Sequence, residues 1–327
     1  MGAVRYRELS AQFGSAAEAF DAESDEAARG AALVEADEAL RRAAACGALL
    51  IQPGDSVYPA SLLELHDPPP TLYCVGNASL LSLPSVAIVG TRRATAYGER
   101  VTRELAGSLA RGGAVVVSGL ARGIDAAAHQ AALEAGGLTV AVLGTGVDVA
   151  YPVSHRALQA EIAERGLLVS EEPPGSRATT SSFPKRNRII AAITKATIIV
   201  EAPLRSGALI TAEHATDLNR TVAAVPGPID SPQSAGSNLL LRDCATAIAS
   251  VDDALMIMGI APSRSSSPNP RTPAERRVLD ALALGPTDLD SLATISGLPA
   301  RDCLAAVTTL ELRGAIVCEL TGEVRRR

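Results

Sequence analysis

The stretch VAIVGTRRATAYG, residues 86–98, decides the fold, because it joins an apolar run to a glycine turn and the start of a helix. Near-continuous apolar runs are typical of parallel strands that are buried on both faces. The pattern recurs along the chain: strands are predicted at residues 86–89, 114–117, 139–143, 167–169, 196–200 and 221–224, and helices at 97–110, 125–135, 154–165 and 209–218. This alternation predicts an α/β fold with a Rossmann-like, doubly wound, mostly parallel sheet, whose ligands lie at the carboxyl ends of the strands.

The sequence before and after the predicted sheet has a different pattern of residues. Residues 5–50 resemble short Ala-rich helices, and residues 52–77 form an irregular passage interrupted by prolines. Near the end of the chain, three helical stretches and a hairpin have the outline of a winged helix: 273–283, 287–296, 299–313 and 316–324. We therefore predict these domains: a small helical N-terminal domain with its lead-in at 1–77, the Rossmann-like domain at 78–260, a linker at 261–272 and a winged-helix domain at 273–327.

Composition narrows the class of protein. The 327 residues are 47% hydrophobic, without an apolar run of the length that a membrane helix needs, and the first residues lack the apolar core of a signal peptide. We expect a cytoplasmic protein with no membrane partner. The five cysteines form no CxxC pair, which argues against a disulfide framework or a zinc site. A net charge of -6 argues against indiscriminate coating of DNA, although a local basic site remains compatible with it.

The first motif loop, VGTRR at 89–93, follows the first predicted strand. It matches neither GxGxxG nor a P-loop, so a dinucleotide or ATP site has little support, and no cofactor is predicted. Gly90 either cradles a phosphate or only makes a turn. Arg92 favours the first alternative, because a side chain on this turn points towards the ligand crevice.

The second motif loop, SGLARGID at 118–125, places Ser118 and Gly119 after a strand, and Arg122 and Gly123 before a helix. Small residues permit close backbone approach, and the start of a helix favours an anion. The structural alternative is that Ser118 and Asp125 cap secondary structure and that Arg122 pairs with Asp125.

The third motif, FPKRNRIIA at 183–191, combines an aromatic ring with cations at a helix start. Single-stranded nucleic acid is bound by such a set, since a base stacks on the ring while cations follow the phosphates. The predicted contacts are Phe183, Lys185, Arg186, Asn187 and Arg188. The alternative for Phe183 is a place in the core.

Two further segments, EAPLRSGALITAEHA at 201–215 and VPGPIDSPQSAGSNLLLRDCA at 225–245, are rich in turn-forming residues. Ser206, Gly207 and Asn238 are candidate crevice residues, with Ser234 and Gly236 beside them. Turn formation explains the same residues equally well.

Catalytic arrangements are sparse, and no enzymatic activity or metal site is predicted. His129, His155 and His214 lie on different predicted helices. Glu171 and Glu172 are interpreted as solvated loop acids. The third winged-helix helix offers only Arg301 and Arg313 against nearby acids, so a protein-protein or regulatory role is expected there instead of groove binding.

Together, the three motif loops and the two later segments resemble the DprA/Smf family over residues 53–251. The resemblance implies a non-catalytic protein that binds single-stranded DNA, protects incoming strands in natural transformation, helps to load the RecA recombinase and forms homodimers through the Rossmann-like domain. It assigns Ser118, Gly119 and Arg122 to the DNA pocket. Thr180 departs from the family pattern, which commonly has a basic residue three positions before the phenylalanine, and Cys244 replaces a usual glycine.

Two other function classes stay open at this point. The same superfold includes phosphoribohydrolases that act on nucleoside monophosphates, but their PGGxGTxxE motif is replaced here by PLRSGALITAE, which keeps a glutamate, Glu213. A protein-interaction scaffold is the third alternative, and it predicts no affinity for DNA.

Overall fold

The structure is a computed structural model, and it describes residues 12, 18, 20, 26–261, 270, 272–283, 285–319 and 322–326. The chain forms two compact units, residues 1–261 and 262–327. The predicted linker lies outside the described residues except at 261, 270 and 272, and most of the predicted N-terminal helices before residue 26 lie outside them too. Among the described residues, no helix is both long and apolar enough to cross a bilayer.

The first unit is built on a nine-stranded sheet with helices on both faces. Its strands are β1 (Leu49–Ile51), β2 (Leu72–Gly76), β3 (Ser85–Val89), β4 (Val115–Ser118), β5 (Thr139–Leu143), β6 (Leu167–Ser170), β7 (Ala196–Ile199), β8 (Thr221–Ala224) and β9 (Thr246–Ala247). Its helices are α1 (Glu26–Ala45), α2 (Ala96–Arg111), α3 (Ile124–Glu134), α4 (Arg156–Arg165), α5 (Ser182–Ile193), α6 (Gly207–Asp217), α7 (Ala235–Arg242) and α8 (Val251–Ile257). The predicted strands and helices of the central domain are all present, with small shifts at their ends.

The strand order is β1-β2-β6-β5-β4-β3-β7-β8-β9, and every pairing from β6 to β9 is parallel. The chain winds outward from β3 in one direction as far as β6, and then from β7 in the other. The switch point therefore lies between β3 and β7, where doubly wound sheets bind ligands beyond the carboxyl ends of their strands. The predicted Rossmann-like fold class is confirmed.

The passage at 52–77 is more regular than predicted. β2 pairs antiparallel with β6, with Tyr73 opposite Ser170, and β1 pairs antiparallel with β2. β1 and β2 therefore belong to the central sheet, although they precede the domain boundary that was predicted at residue 77. The backbone N–H and C=O groups of β2 pair with β6 on the side of β6 that faces away from β5.

Apolar side chains fill both faces of the sheet. One layer includes Leu72, Val117 and Ile189, and the other includes Ile88, Leu105 and Ile198, all fully or almost fully buried. Burying one such side chain stabilises the fold by about 1.5–3 kcal/mol. The sheet that holds the motif loops is therefore a rigid base.

The second unit has the predicted winged-helix elements. They are α9 (Pro273–Leu282), β10 (Thr287–Asp288), α10 (Leu289–Ser296), α11 (Ala300–Leu312), β11 (Ile316–Cys318) and β12 (Glu323–Arg326), with strand order β10-β12-β11. Its own core includes Val278, Leu292 and Leu310. Within the hairpin predicted at 316–324, residues 320 and 321 lie outside the described residues.

Candidate nucleic-acid interface

A cleft of about 630 Å³ lies at the carboxyl ends of the strands. Its walls come from the loops after β3, β4, β5, β6 and β7 and from the starts of α5 and α6. The lining residues are Val89, Gly90, Thr91, Arg92, Ala121, Asp125, Tyr151, Ala178, Thr179, Thr180, Phe183, Pro184, Arg186, Asn187, Ile190, Pro203, Ser206, Gly207, Ala208 and Thr211. The cleft is thus at the place that the strand order dictates.

The β3–α2 loop is fixed from beneath by Glu201, a buried residue that follows β7. The Glu201 carbonyl accepts the Thr91 N–H at 2.7 Å, and its carboxylate accepts the N–H and hydroxyl of Thr95 at 2.9 and 2.6 Å. At Gly90, a Cβ would collide with Ile124 and with the Glu201 backbone. The loop backbone is thus packed closely against Ile124 and Glu201, while Arg92 on the same loop is exposed at the cleft.

Arg92, Phe183 and Tyr151 form a stacked group in the cleft. The Arg92 guanidinium carbon lies 5.0 Å from the centre of the Phe183 ring, within the range of a cation–π contact. The Tyr151 ring centre lies 5.2 Å from that of Phe183, with the planes inclined by 38°. Phe183 is therefore partly exposed at the cleft and not a core residue, while Tyr151 was missed by the sequence analysis.

The β4–α3 loop serves mainly to build the floor. Ser118 is fully buried and its hydroxyl donates to the Ile88 carbonyl at 2.7 Å. Gly123 has a φ of +75°, and a Cβ there would meet the Thr91 carbonyl. Arg122 is exposed and makes no ion pair with described residues, so the predicted alternative of an Arg122–Asp125 pair is wrong.

Asp125 is instead buried in the floor of the cleft, where it accepts hydrogen bonds from the backbone of the β4–α3 loop. Its carboxylate accepts the N–H groups of Gly119 at 3.1 Å and Ala121 at 3.4 Å. Burial raises the pKa of Asp125, and the charge of Arg186 opposes that rise. The carboxylate thereby ties the β4–α3 loop to the start of α3.

Arg186 is buried, with 6% of its surface exposed. Its guanidinium donates to the Val142 carbonyl and occupies the space that a Cβ on Gly119 would need. Burial lowers the pKa of Arg186 to about 10, which leaves it charged at neutral pH. The side chain forms part of the cleft floor and not a free arm for a phosphate.

Arg188 is also buried, with 4% of its surface exposed. One of its terminal nitrogens donates to both oxygens of Glu171 at 2.9 Å, and its Nε donates to Asp67 at 3.0 Å. The exposed Lys185 lies 3.4 Å from Glu171 and 3.5 Å from Glu172. The interpretation of both acids as solvated is therefore wrong, because this network uses them to anchor α5 to the loop after β6 and to the lead-in segment.

The remaining predicted residues fall into two groups. Asn187 donates to the Gly207 carbonyl at 3.1 Å, and Ser206 caps α6 through the Ala208 N–H at 3.3 Å, so these side chains link α5 to the start of α6 and cap that helix. Asn238 exchanges hydrogen bonds with the N–H and carbonyl of Gly227 at 3.1 and 3.0 Å, outside the cleft. It holds a turn, as the structural alternative predicts.

Of the predicted site residues, the structure brings Gly90, Arg92, Phe183, Arg186, Asn187, Ser206 and Gly207 together along the cleft, and leaves Ser118, Gly119, Arg122, Gly123, Lys185, Arg188 and Asn238 outside its lining. Exposed arginines without an ion pair to described residues adjoin the lining in sequence: Arg92, Arg93, Arg122, Arg177 and Arg205. Within the described ranges, no group of His, Cys, Asp and Glu is arranged to hold a metal ion. Glu213 is exposed and lies outside the cleft lining.

Comparison with known proteins gives concordant results for both units. The family model for DNA recombination-mediator protein A matches residues 49–259, and the model for the DprA winged helix domain matches residues 262–322. The chain is 44% identical over 260 residues to the putative DNA processing protein DprA of Mycobacterium tuberculosis, which covers 76% of this chain and 67% of that protein.

Two solved structures are similar to this chain. The structure of DNA processing protein A from Streptococcus pneumoniae matches with a TM-score of 0.62 and 42% identity, over 64% of this chain and 74% of that one. A structure concerned with the single-stranded DNA binding mode of DNA processing protein A from Helicobacter pylori matches with a TM-score of 0.58 and 36% identity, over 64% and 94% of the two chains.

Proposed function

Since the chain belongs to the DNA recombination-mediator protein A (DprA/Smf) family, we propose that it binds single-stranded DNA in the cleft between β3 and β7. The observation that carries this proposal is the contact of Arg92 with the Phe183 ring, which puts a cation and an aromatic surface side by side in the cleft. Bases stack on such rings while arginines follow the phosphates.

The distribution of charge supports a local DNA site on an acidic protein. The exposed arginines next to the cleft have no ion pairs with described residues, whereas four acids close to it are buried or engaged. Asp125 and Glu201 accept hydrogen bonds from the protein itself, and Glu171 and Glu172 face Lys185. Phosphate contacts carry no base information, so we expect little sequence preference.

The wider role follows from the family. We infer that the protein acts by binding and not by making or breaking bonds, that it works in the cytoplasm, and that it protects incoming strands during transformation and helps to load RecA. We further infer that two copies join through the Rossmann-like unit, which would bring two clefts into one assembly. Release of free base from nucleoside monophosphates would contradict the non-catalytic part of this proposal.

The test is a fluorescence-anisotropy titration of labelled oligo-dT, and of a duplex of the same length, at about 50 and 200 mM salt. We expect the wild type to prefer the single strand. Arg92→Ala should weaken binding about tenfold through the loss of one charge-assisted contact, and should reduce the salt slope by about 0.7. Arg111→Ala is the matched control, because Arg111 is exposed at the far end of α2. Equal binding of duplex and single strand, or equal effects of the two variants, would contradict the site.

A further inference from the structure

Tyr151 is the most exposed aromatic residue of the cleft, with 46% of its surface accessible. Its hydroxyl makes no hydrogen bond in the part of the chain that the structure describes. By contrast, the hydroxyls of Tyr58 and Tyr97 donate to the carbonyls of Pro69 and Pro226 at 2.8 and 2.9 Å. The Tyr151 ring is thus exposed, and its hydroxyl makes no hydrogen bond that would stabilise the described structure.

The position of Tyr151 is fixed by the loop that precedes it. This loop, residues 144–150, has no helix or strand, yet many of its polar groups are bonded to neighbouring segments. The side-chain contacts are Thr145 Oγ1 to the Val149 carbonyl at 2.8 Å, Ser170 Oγ to the Thr145 carbonyl at 2.7 Å, Gln159 Nε2 to the Val147 carbonyl at 2.8 Å, and the Gly175 N–H to Asp148 Oδ1 at 2.7 Å. Such a frame lowers the entropy lost when a ligand binds, because the ring is already in place.

Phe183 is less available to a ligand than its place in the motif suggests. Both the Arg92 guanidinium and the Tyr151 ring lie within 5.2 Å of its ring centre. Its ring also packs beside Gly144, where a Cβ would come within 3.1 Å of Phe183 Cδ1. Its neighbours therefore already use much of the Phe183 ring, whereas nearly half of Tyr151 remains open.

We propose that Tyr151 supplies the ring face on which a nucleobase of the bound single strand stacks, and that Phe183 acts chiefly as the support that holds Tyr151 and Arg92. This inference rests on the proposed function and adds a residue to its site. Base stacking on an aromatic side chain tolerates every base, because each base has a π-face. Tyr151 then contributes affinity without sequence preference, and its contribution does not depend on salt.

Tryptophan fluorescence tests the contact directly, since the chain has no tryptophan of its own. In Tyr151→Trp, binding of oligo-dT should quench the emission of the new indole, because a stacked base lies against it. Leu83→Trp is the matched control: Leu83 is 42% exposed and precedes β3, at the edge of the sheet opposite the cleft. Unchanged emission from Tyr151→Trp at saturating oligo-dT would overturn the proposal.

Affinity provides the second readout. Tyr151→Ala should weaken binding of oligo-dT on the order of tenfold and leave the salt slope unchanged, whereas Tyr151→Phe should bind like the wild type. An abasic oligonucleotide of the same length should bind to Tyr151→Ala and to the wild type with equal affinity, because it has phosphates but no bases. If the wild type binds and Tyr151→Ala, folded by circular dichroism, binds equally well, the stacking role fails while the proposed function stands. If the wild type does not bind, both fail.

Discussion

Two pairs of arginines frame the cleft and have opposite surroundings. Arg92 and Arg93 on the β3–α2 loop are exposed, whereas Arg186 and Arg188 on α5 are 6% and 4% exposed. All four stand in motifs that suggest phosphate binding. The difference arises because the loop leaves the sheet at its carboxyl edge, while α5 packs against the sheet.

The comparison teaches that an arginine near a ligand site often serves the site indirectly. The α5 pair uses its guanidinium groups to fix the floor and the helix that carry Phe183 and Lys185. Arginine suits this work, since its planar fork satisfies several acceptors at once. Of these two pairs, only Arg92 and Arg93 remain available for phosphates. Substitutions in the two pairs should therefore change different quantities.

The largest expected effect is on stability. Arg188→Ala leaves Glu171 and Asp67 without their buried cation, and removal of one partner of a buried ion pair costs about 3 kcal/mol or more. Urea unfolding should detect this loss, whereas Arg93→Ala should change the free energy of unfolding by less than about 0.5 kcal/mol. Equal stability of the two variants would erase the distinction between the pairs.

A smaller, pH-dependent effect is expected for Arg186→Met. Without the guanidinium, Asp125 remains buried, which costs about 2 kcal/mol when the carboxylate is charged. Because burial raises the pKa of Asp125, the folded state holds this proton more tightly than the unfolded chain does. The free energy of unfolding should therefore fall as the pH rises from the pKa of Asp125 in the unfolded chain to its raised pKa in the folded state.

The measurement is urea unfolding of wild type and Arg186→Met at about pH 5 and 8, since carboxyl groups of unfolded chains titrate near pH 4. The loss should be larger at the higher pH. Arg186→Met with Asp125→Asn should lose this pH dependence, because no carboxyl remains to titrate at that position. A loss that is the same at both pH values in the single variant would show that Asp125 does not sense Arg186.

The smallest effect is a gain of affinity. Thr180 is exposed in the cleft lining and carries no charge. Thr180→Lys should raise the affinity for oligo-dT several-fold and steepen the salt slope by about 0.7, because it adds a phosphate contact. Thr216→Lys, which adds the same charge at the far end of α6, should have little effect. An equal gain in both variants would mean that net charge matters more than position.

The sequence was sufficient to predict the six central strands of the sheet, β3 to β8, and the position of the cleft at their carboxyl ends. The strands at 139–143 and 221–224 have the predicted ends, because each is a short, almost uninterrupted apolar run with glycine, proline or a charged residue close to its ends. β1, β2 and β9 were not predicted, since β1 and β9 have only three and two residues, and β2 depends on antiparallel pairing with β6, which lies far along the chain. Their existence is a property of the assembled sheet.

The burial of the α5 arginines was only partly accessible. Arg186 precedes Ile189 and Ile190 by three and four residues, so helical spacing places it on the face of the core isoleucines. The burial of Arg188 could not be predicted in this way, because it depends on a partner, Asp67, that lies 121 positions away in the chain. Tyr151 follows the loop after a predicted strand, and its position at the carboxyl edge was a usable signal.

The two ends of the nine-stranded sheet have a consequence for self-association. β1 has three residues and β9 has two, and both are outermost strands. Such short borders offer few unpaired backbone groups to a foreign strand, which is how natural sheets avoid growing into aggregates. We therefore expect copies of this chain that associate to do so through side chains and not by pairing of edge strands.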